Sequence, residues 1–110
     1  ESTDSTVQSF LGGAIGLSGH TVSTSMWTHA VAIHDNSANT VKWFVNGVEL
    51  NTNTGVNVES ATGDFVIGIN KNLSSDPFNG LIDDVRIYNY ARTPAEILQD
   101  YNAGLSTHFR

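Results

Sequence analysis

Apolar and polar positions alternate with a period of two in several short stretches of this chain, and with a helical period in one. From Trp27 to Asp35, the residues Trp27, His29, Val31 and Ile33 share one parity, and Thr28, Ala30, Ala32 and His34 the other, which predicts a strand. Asp35-Asn-Ser-Ala-Asn39 reads as a polar turn. Thr40 to Asn46 predicts the next strand, with Val41, Trp43 and Val45 on one face and Lys42 and Phe44 on the other. Asn46-Gly47 is a strong hairpin signal, because both residues tolerate the positive φ of a type I′ turn. Val48 to Asn51 returns from it as an antiparallel neighbour.

Other stretches are read the same way. Val7, Phe10, Leu11, Ile15 and Leu17 predict one or two short opening strands, broken at Gly12-Gly13, and Thr21 to Thr24 a further short strand. Asn51 to Asn57 is a polar loop, with a strand fragment at Val56 and Val58. Asp64 to Asn70 alternates Phe65, Ile67 and Ile69 against Val66 and Gly68, and Lys71 to Pro77 is a polar loop. Phe78 to Tyr90 predicts one long strand, with Leu81, Val85 and Ile87 on one face and Ile82, Asp84, Arg86 and Tyr88 on the other. Both faces carry apolar residues, so this strand is expected inside a sheet. Thr93-Pro-Ala-Glu96 is a helix start, with Thr93 as cap, Pro94 at the first helical position and Glu96 closing a capping box. Pro94, Ile97, Leu98 and Tyr101 form an apolar stripe, and Gly104 is expected just past the helix end, giving a helix over about Pro94 to Asn102 that docks on the sheet.

Composition narrows the function classes. The 110 residues suit one modest domain, and the 10 glycines suit a turn-rich β protein. A net charge of −6 disfavours nucleic acid and anionic membrane surfaces, both of which reward clustered Lys and Arg. The absence of cysteine excludes disulfides and thiolate chemistry. No apolar run is long enough to cross a membrane, and no signal-peptide pattern is present. We read the chain, which opens on Glu1, as a piece of a longer protein.

Three features in fixed order carry a resemblance: Trp27-Thr-His-Ala-Val-Ala, then Val41-Lys-Trp-Phe-Val-Asn-Gly-Val-Glu49, then Phe78 to Asn89 followed by Ala91-Arg-Thr-Pro-Ala-Glu-Ile97. Together they resemble the laminin-G-like jelly-roll domains of the concanavalin A-like lectin/glucanase superfamily, over about Trp27 to Tyr101. The resemblance implies an all-β, antiparallel jelly-roll sandwich with one short C-terminal helix. Such domains begin with more strands than the residues before Trp27 supply. Residues 1–110 are therefore expected to lack the opening strands, and to be completed by the rest of the parent chain or by a second copy. An incomplete sandwich would expose an apolar inner face larger than monomers tolerate.

Candidate chemistry is sparse. Asp83 and Asp84 are adjacent on the expected strand, so they face opposite ways and cannot form an acid–base pair on one substrate. By parity Asp83 points inward, which calls for a partner. The resemblance implies a structural calcium there, for which Asp83 is the metal candidate; the competing reading is a buried Asp hydrogen-bonded to backbone amides or to Arg86 or Arg92. His20, His29, His34 and His108 show no metal-ligand spacing. Trp27 and Trp43 are candidates for sugar stacking, but both read better as core. Tyr88, Tyr90 and Tyr101 are expected to anchor the helix to the sheet. Asn36, Asn39, Asn70, Asn72 and Asp76 lie on predicted loops where lectin-like domains bind ligands, although ordinary turn chemistry explains each singly. Asn72-Leu73-Ser74 matches the N-glycosylation pattern. No nucleophile elbow, phosphate-cradling glycine pattern or paired-glutamate strand motif is present, so no catalysis is expected.

The expectation is a non-catalytic recognition or adhesion module of a larger extracellular or surface-displayed protein, with carbohydrate as the leading ligand class and a protein ligand next. The rivals are a structural domain of a surface layer or viral particle, and an accessory domain of a secreted carbohydrate-active enzyme.

Overall fold

The computed structural model describes residues 8–10, 14–16, 25–55, 66–69 and 77–108. The opening apolar stretch forms two short strands, β1 (Gln8–Phe10) and β2 (Ala14–Gly16), paired antiparallel with Ser9 opposite Ile15, on either side of the glycine pair. The predictions at 21–24 and at Val56 and Val58 lie outside the described residues.

The centre of the molecule is a three-stranded antiparallel sheet in the order β3 (Ala30–Asp35), β4 (Thr40–Val45), β5 (Val48–Thr54). Both connections follow from local chemistry. At the β3–β4 turn, one Asp35 carboxylate oxygen accepts hydrogen bonds from the Ser37 hydroxyl (2.7 Å) and the Ala38 amide (3.1 Å), and Asn39 takes φ 53°. At the β4–β5 turn, Asn46 and Gly47 both take positive φ, 50° and 81°, as the type I′ turn needs. The ladder extends one step past Ala30: the Asn46 amide donates to the His29 carbonyl, and the His29 amide donates to the Asn46 side-chain oxygen. Trp43 faces Asn51 while its neighbour Phe44 faces Glu49, so Leu50 is the extra residue of a bulge in β5.

Strand β4 is the core. Val41 is 0% exposed and Trp43, Phe44 and Val45 are buried with it. The register sets His29, Val31 and Ile33 beside Phe44 and Lys42 on one face, and the helix α1 (Pro94–His108) lies against that face. Its Tyr101 ring lies 6.0 Å from the His29 ring, and its Leu98 and Tyr101 side chains close over Gly47. Ile97 is fully buried, a burial worth roughly 1.5–3 kcal/mol. The capping box forms as the sequence predicts: the Glu96 amide donates to the Thr93 hydroxyl (3.2 Å), and the Thr93 amide donates to the Glu96 carboxylate (3.1 Å).

Five expectations are corrected. Strand β5 runs on to Thr54, through part of the polar loop expected from Asn51. The helix runs past Asn102 to His108, with Gly104 inside it; a glycine permits a helix end but does not compel one. The first sheet strand starts at Ala30, leaving Trp27 half-buried ahead of it. Residues 66–69 bend instead of running straight, because Gly68 takes φ 87° and its carbonyl accepts the Phe78 amide at 2.6 Å. Residues 81–88, expected as a long inner strand, have no regular structure and are exposed. Asp84 there takes φ 58°, and the Asp83 carboxylate accepts the Asp84 amide at 2.7 Å. That local hydrogen bond competes with extended pairing, and among the described residues no strand lies alongside to win the competition.

Candidate functional site

The segment that joins the sheet to the helix is the most unusual surface of the molecule. Phe78, Leu81, Ile82, Val85, Ile87 and Tyr90 are all exposed, Leu81 at 79% and Ile87 at 70%. Exposed apolar residues are ordinary singly, but six within one short stretch are not. The pattern that made this stretch look like an inner strand is intact; what is lacking among the described residues is the neighbour that would cover it.

One end of the segment is held firmly. The Arg92 guanidinium donates from Nε and Nη2 to the two oxygens of Asp100 (3.2 and 2.7 Å), and from Nη1 to Glu96 (2.6 Å) and the Tyr90 hydroxyl (2.9 Å). It also lies over the Tyr88 ring at 4.5 Å, while Tyr88 and Tyr90 meet edge to face. Bidentate geometry of this kind fixes position as well as charge. The Asp100 hydrogen bonds hold Arg92 above its ordinary range, and the Thr93 amide at the helix start holds Glu96 below the usual carboxylate range. Sequence reading had Arg92 only as a partner for Asp83. The better signal was there: positions 92, 96 and 100 recur at helical spacing and place one cation over two carboxylates.

The sequence-derived candidates are scattered. Asn36 and Asn39 are exposed on the β3–β4 turn, where Asn39 serves the turn itself. Asn70, Asn72 and Asp76, with the glycosylation pattern at Asn72, lie outside the described residues. Asp83 is exposed, not inward, because the strand whose parity would have turned it is absent. Among the described residues no three carboxylates or imidazoles gather as a metal shell. Trp43 is 2% exposed and its indole N–H donates to Asn53, so it is core and offers no stacking face. Of the three tyrosines expected to anchor the helix to the sheet, Tyr101 does so over Gly47 and beside His29, whereas Tyr88 and Tyr90 are exposed and meet Arg92. A cleft of about 120 Å³ lies between Ile33, Asp35, Lys42 and Phe44 of the sheet and Ala91, Arg92 and Pro94 of the helix approach. It is smaller than the roughly 300–1,000 Å³ of small-molecule sites.

His29 and His34 give the fold a pH dependence. Burial pushes both imidazoles below their ordinary value of 6.5, and the His29 Nδ1 is buried without a hydrogen-bond partner among the described residues. A depressed folded-state pKa means that the unfolded chain takes up the proton first. Stability is therefore present above pH 6.5 and falls as pH drops through the folded-state values. The thermal midpoint followed by circular dichroism is expected to fall from pH 7 to 5, and His29→Gln to flatten that slope. A second fall is expected in the carboxylate range. Glu96 is depressed there chiefly by the Thr93 amide, and Asp35 chiefly by the Ser37 hydroxyl.

With this geometry in view, comparison with known proteins is informative. The family model for the Concanavalin A-like lectin/glucanases superfamily matches residues 3–98. A crystal structure of an S-layer domain-containing protein (residues 221–444) from Clostridium thermocellum superposes with a TM-score of 0.60 at 21% identity, which is a likeness of fold. The match covers 82% of this chain and 46% of that one, so the chain spans under half the length of that structure. No curated protein matches the chain.

Proposed function

The chain belongs to the Concanavalin A-like lectin/glucanases superfamily, and from that membership and the geometry above we propose that it is a non-catalytic module of a larger extracellular or surface-displayed protein, acting in recognition and assembly through residues 78–90. The observation that carries this reading is the exposed apolar run from Phe78 to Tyr90, patterned for burial on both faces and clamped at its end by Arg92. Surface display draws analogy-level support from the S-layer domain-containing protein that shares the fold.

Assembly is preferred over sugar binding because Trp43, one of the two indoles that could stack on a sugar, is inside the core. Carbohydrate recognition is the second reading, favoured by the exposed edge-to-face pair of Tyr88 and Tyr90. Two measurements separate them. The dilute chain is expected to bind a hydrophobic dye and to exchange the amides of 81–88 rapidly, and Leu81→Lys with Ile87→Lys is expected to abolish dye binding without loss of the helical signal. A dye-dark chain with protected amides there would sink the assembly reading. A glycan array probed with and without calcium is expected to stay silent, and binding that disappears in Tyr90→Ala would install the carbohydrate reading instead.

A further inference from the structure

We propose that Asn79 is a site of spontaneous modification, losing its side-chain amide to attack by the Gly80 backbone nitrogen, and that the fold keeps Asn46-Gly47 from the same reaction. These are the two Asn-Gly pairs of the sequence. Glycine in second place suits the reaction, because no Cβ stands in the way of the attacking nitrogen. The chemistry needs only water. The Gly80 nitrogen gives up its proton to solvent and bonds to the Asn79 Cγ. The bond from Cγ to the side-chain nitrogen breaks, and that nitrogen takes a proton from water and leaves as ammonia. The cyclic imide left behind adds one water at either carbonyl. Opening at Cγ gives aspartate, and opening at the backbone carbonyl gives isoaspartate, whose chain runs through the former side chain. Nothing is oxidised or reduced. Either product adds one negative charge to a chain of net −6.

The two pairs differ in what holds them. Asn46 is tied at both ends of the residue: its Oδ1 accepts the His29 amide at 2.9 Å, and its own amide donates to the His29 carbonyl at 2.8 Å. Gly47 lies beneath α1, where even an added Cβ would come within 2.9 Å of Leu98 and 3.2 Å of Tyr101. Attack at Asn46 therefore requires its side chain to turn away from His29 and the turn backbone to move under the helix. Both changes amount to a local opening of the hairpin, which is only rarely populated. Asn79 and Gly80 are exposed and outside regular structure. Among the described residues no hydrogen bond or ion pair holds the Asn79 side chain. The nearest tie is one position earlier, where the Phe78 amide donates to the Gly68 carbonyl. The backbone at Asn79 can thus rotate into the attacking geometry without first breaking a bond of the fold.

The test ages the dilute folded chain in mildly alkaline buffer, beside a sample unfolded in urea. Digestion and mass spectrometry then follow aspartate and isoaspartate at each pair. In the folded chain Asn79 is expected to react about tenfold or more faster than Asn46, because only Asn46 waits for local opening. In urea the two pairs are expected to react at similar rates, since sequence alone then governs both. Gly80→Ala is expected to slow the reaction at Asn79 in both samples with the circular dichroism unchanged. The added carbon there meets only the Phe78 ring, at 3.0 Å, and that side chain is 54% exposed and can swing aside. Equal rates at the two pairs in the folded chain would overturn the protection of Asn46. An Asn79 that stays intact in the folded chain while it reacts in urea would overturn the site itself.

Discussion

Trp43→Ala is expected to destabilise the fold by about 3–5 kcal/mol, a large share of the roughly 5–15 kcal/mol that holds a domain of this size together. Trp43 sits in the middle of β4, the strand flanked on both sides, and is 2% exposed. Truncation leaves a cavity in the one well-buried cluster among the described residues, beside Val41 and Val45. It also strips Asn53 of the indole N–H that it accepts at 2.8 Å. Trp43→Phe keeps most of the volume and loses that hydrogen bond, so it should cost far less, on the order of 1 kcal/mol from the bond alone. Urea unfolding monitored by fluorescence and circular dichroism separates the two variants. Equal costs for both would mean that the hydrogen bond, and not the packing, is what Trp43 contributes.

Gly47→Val is expected to cost roughly 2–5 kcal/mol, from two sources that can be measured apart. Gly47 takes φ 81°, where a residue with a Cβ is strained by about 1–2 kcal/mol. A Cβ there would also lie 2.9 Å from Leu98 Cδ1 and 3.2 Å from Tyr101 Cδ2, so the helix must shift to admit it. Gly55 provides the comparison: it takes φ 69° with nothing within 4 Å of the added carbon. Gly55→Ala should therefore show the backbone strain alone, while Gly47→Ala shows the strain plus the push on the helix. The excess at Gly47 should appear in the unfolding free energy and as a loosened helix in amide exchange over 94–108. Matching costs at the two glycines would mean that the helix does not rest on the hairpin turn.

Much of the framework was legible in local sequence. Asn46-Gly47 specified its turn because positive φ at two successive residues is a demand few pairs meet. Thr93 to Glu96 specified a helix start because four residues suffice to close a capping box. The candidate surface was legible only as its opposite. Leu81, Val85 and Ile87 were read as inward-facing, and all three are exposed. Arg92 was undervalued because its role depends on Asp100, a residue one helical turn beyond Glu96 whose meaning appears only once the helix exists. Asp83 was placed by the parity of a strand that did not form, so its assignment moved with the strand.

The order of residues by itself determined where the chain turns, where the helix begins and which side chains are apolar, since each of these depends on neighbours a few positions away. Tertiary structure decided whether 81–88 is a strand, how far the helix extends past Gly104, and which aromatic residues are core. Those outcomes depend on what stands alongside: extended backbone is stabilised by the hydrogen-bonding groups of another strand, and an apolar side chain is buried only if something covers it. Periodicity records the readiness of a segment to be covered, and the covering itself is a property of the assembled molecule.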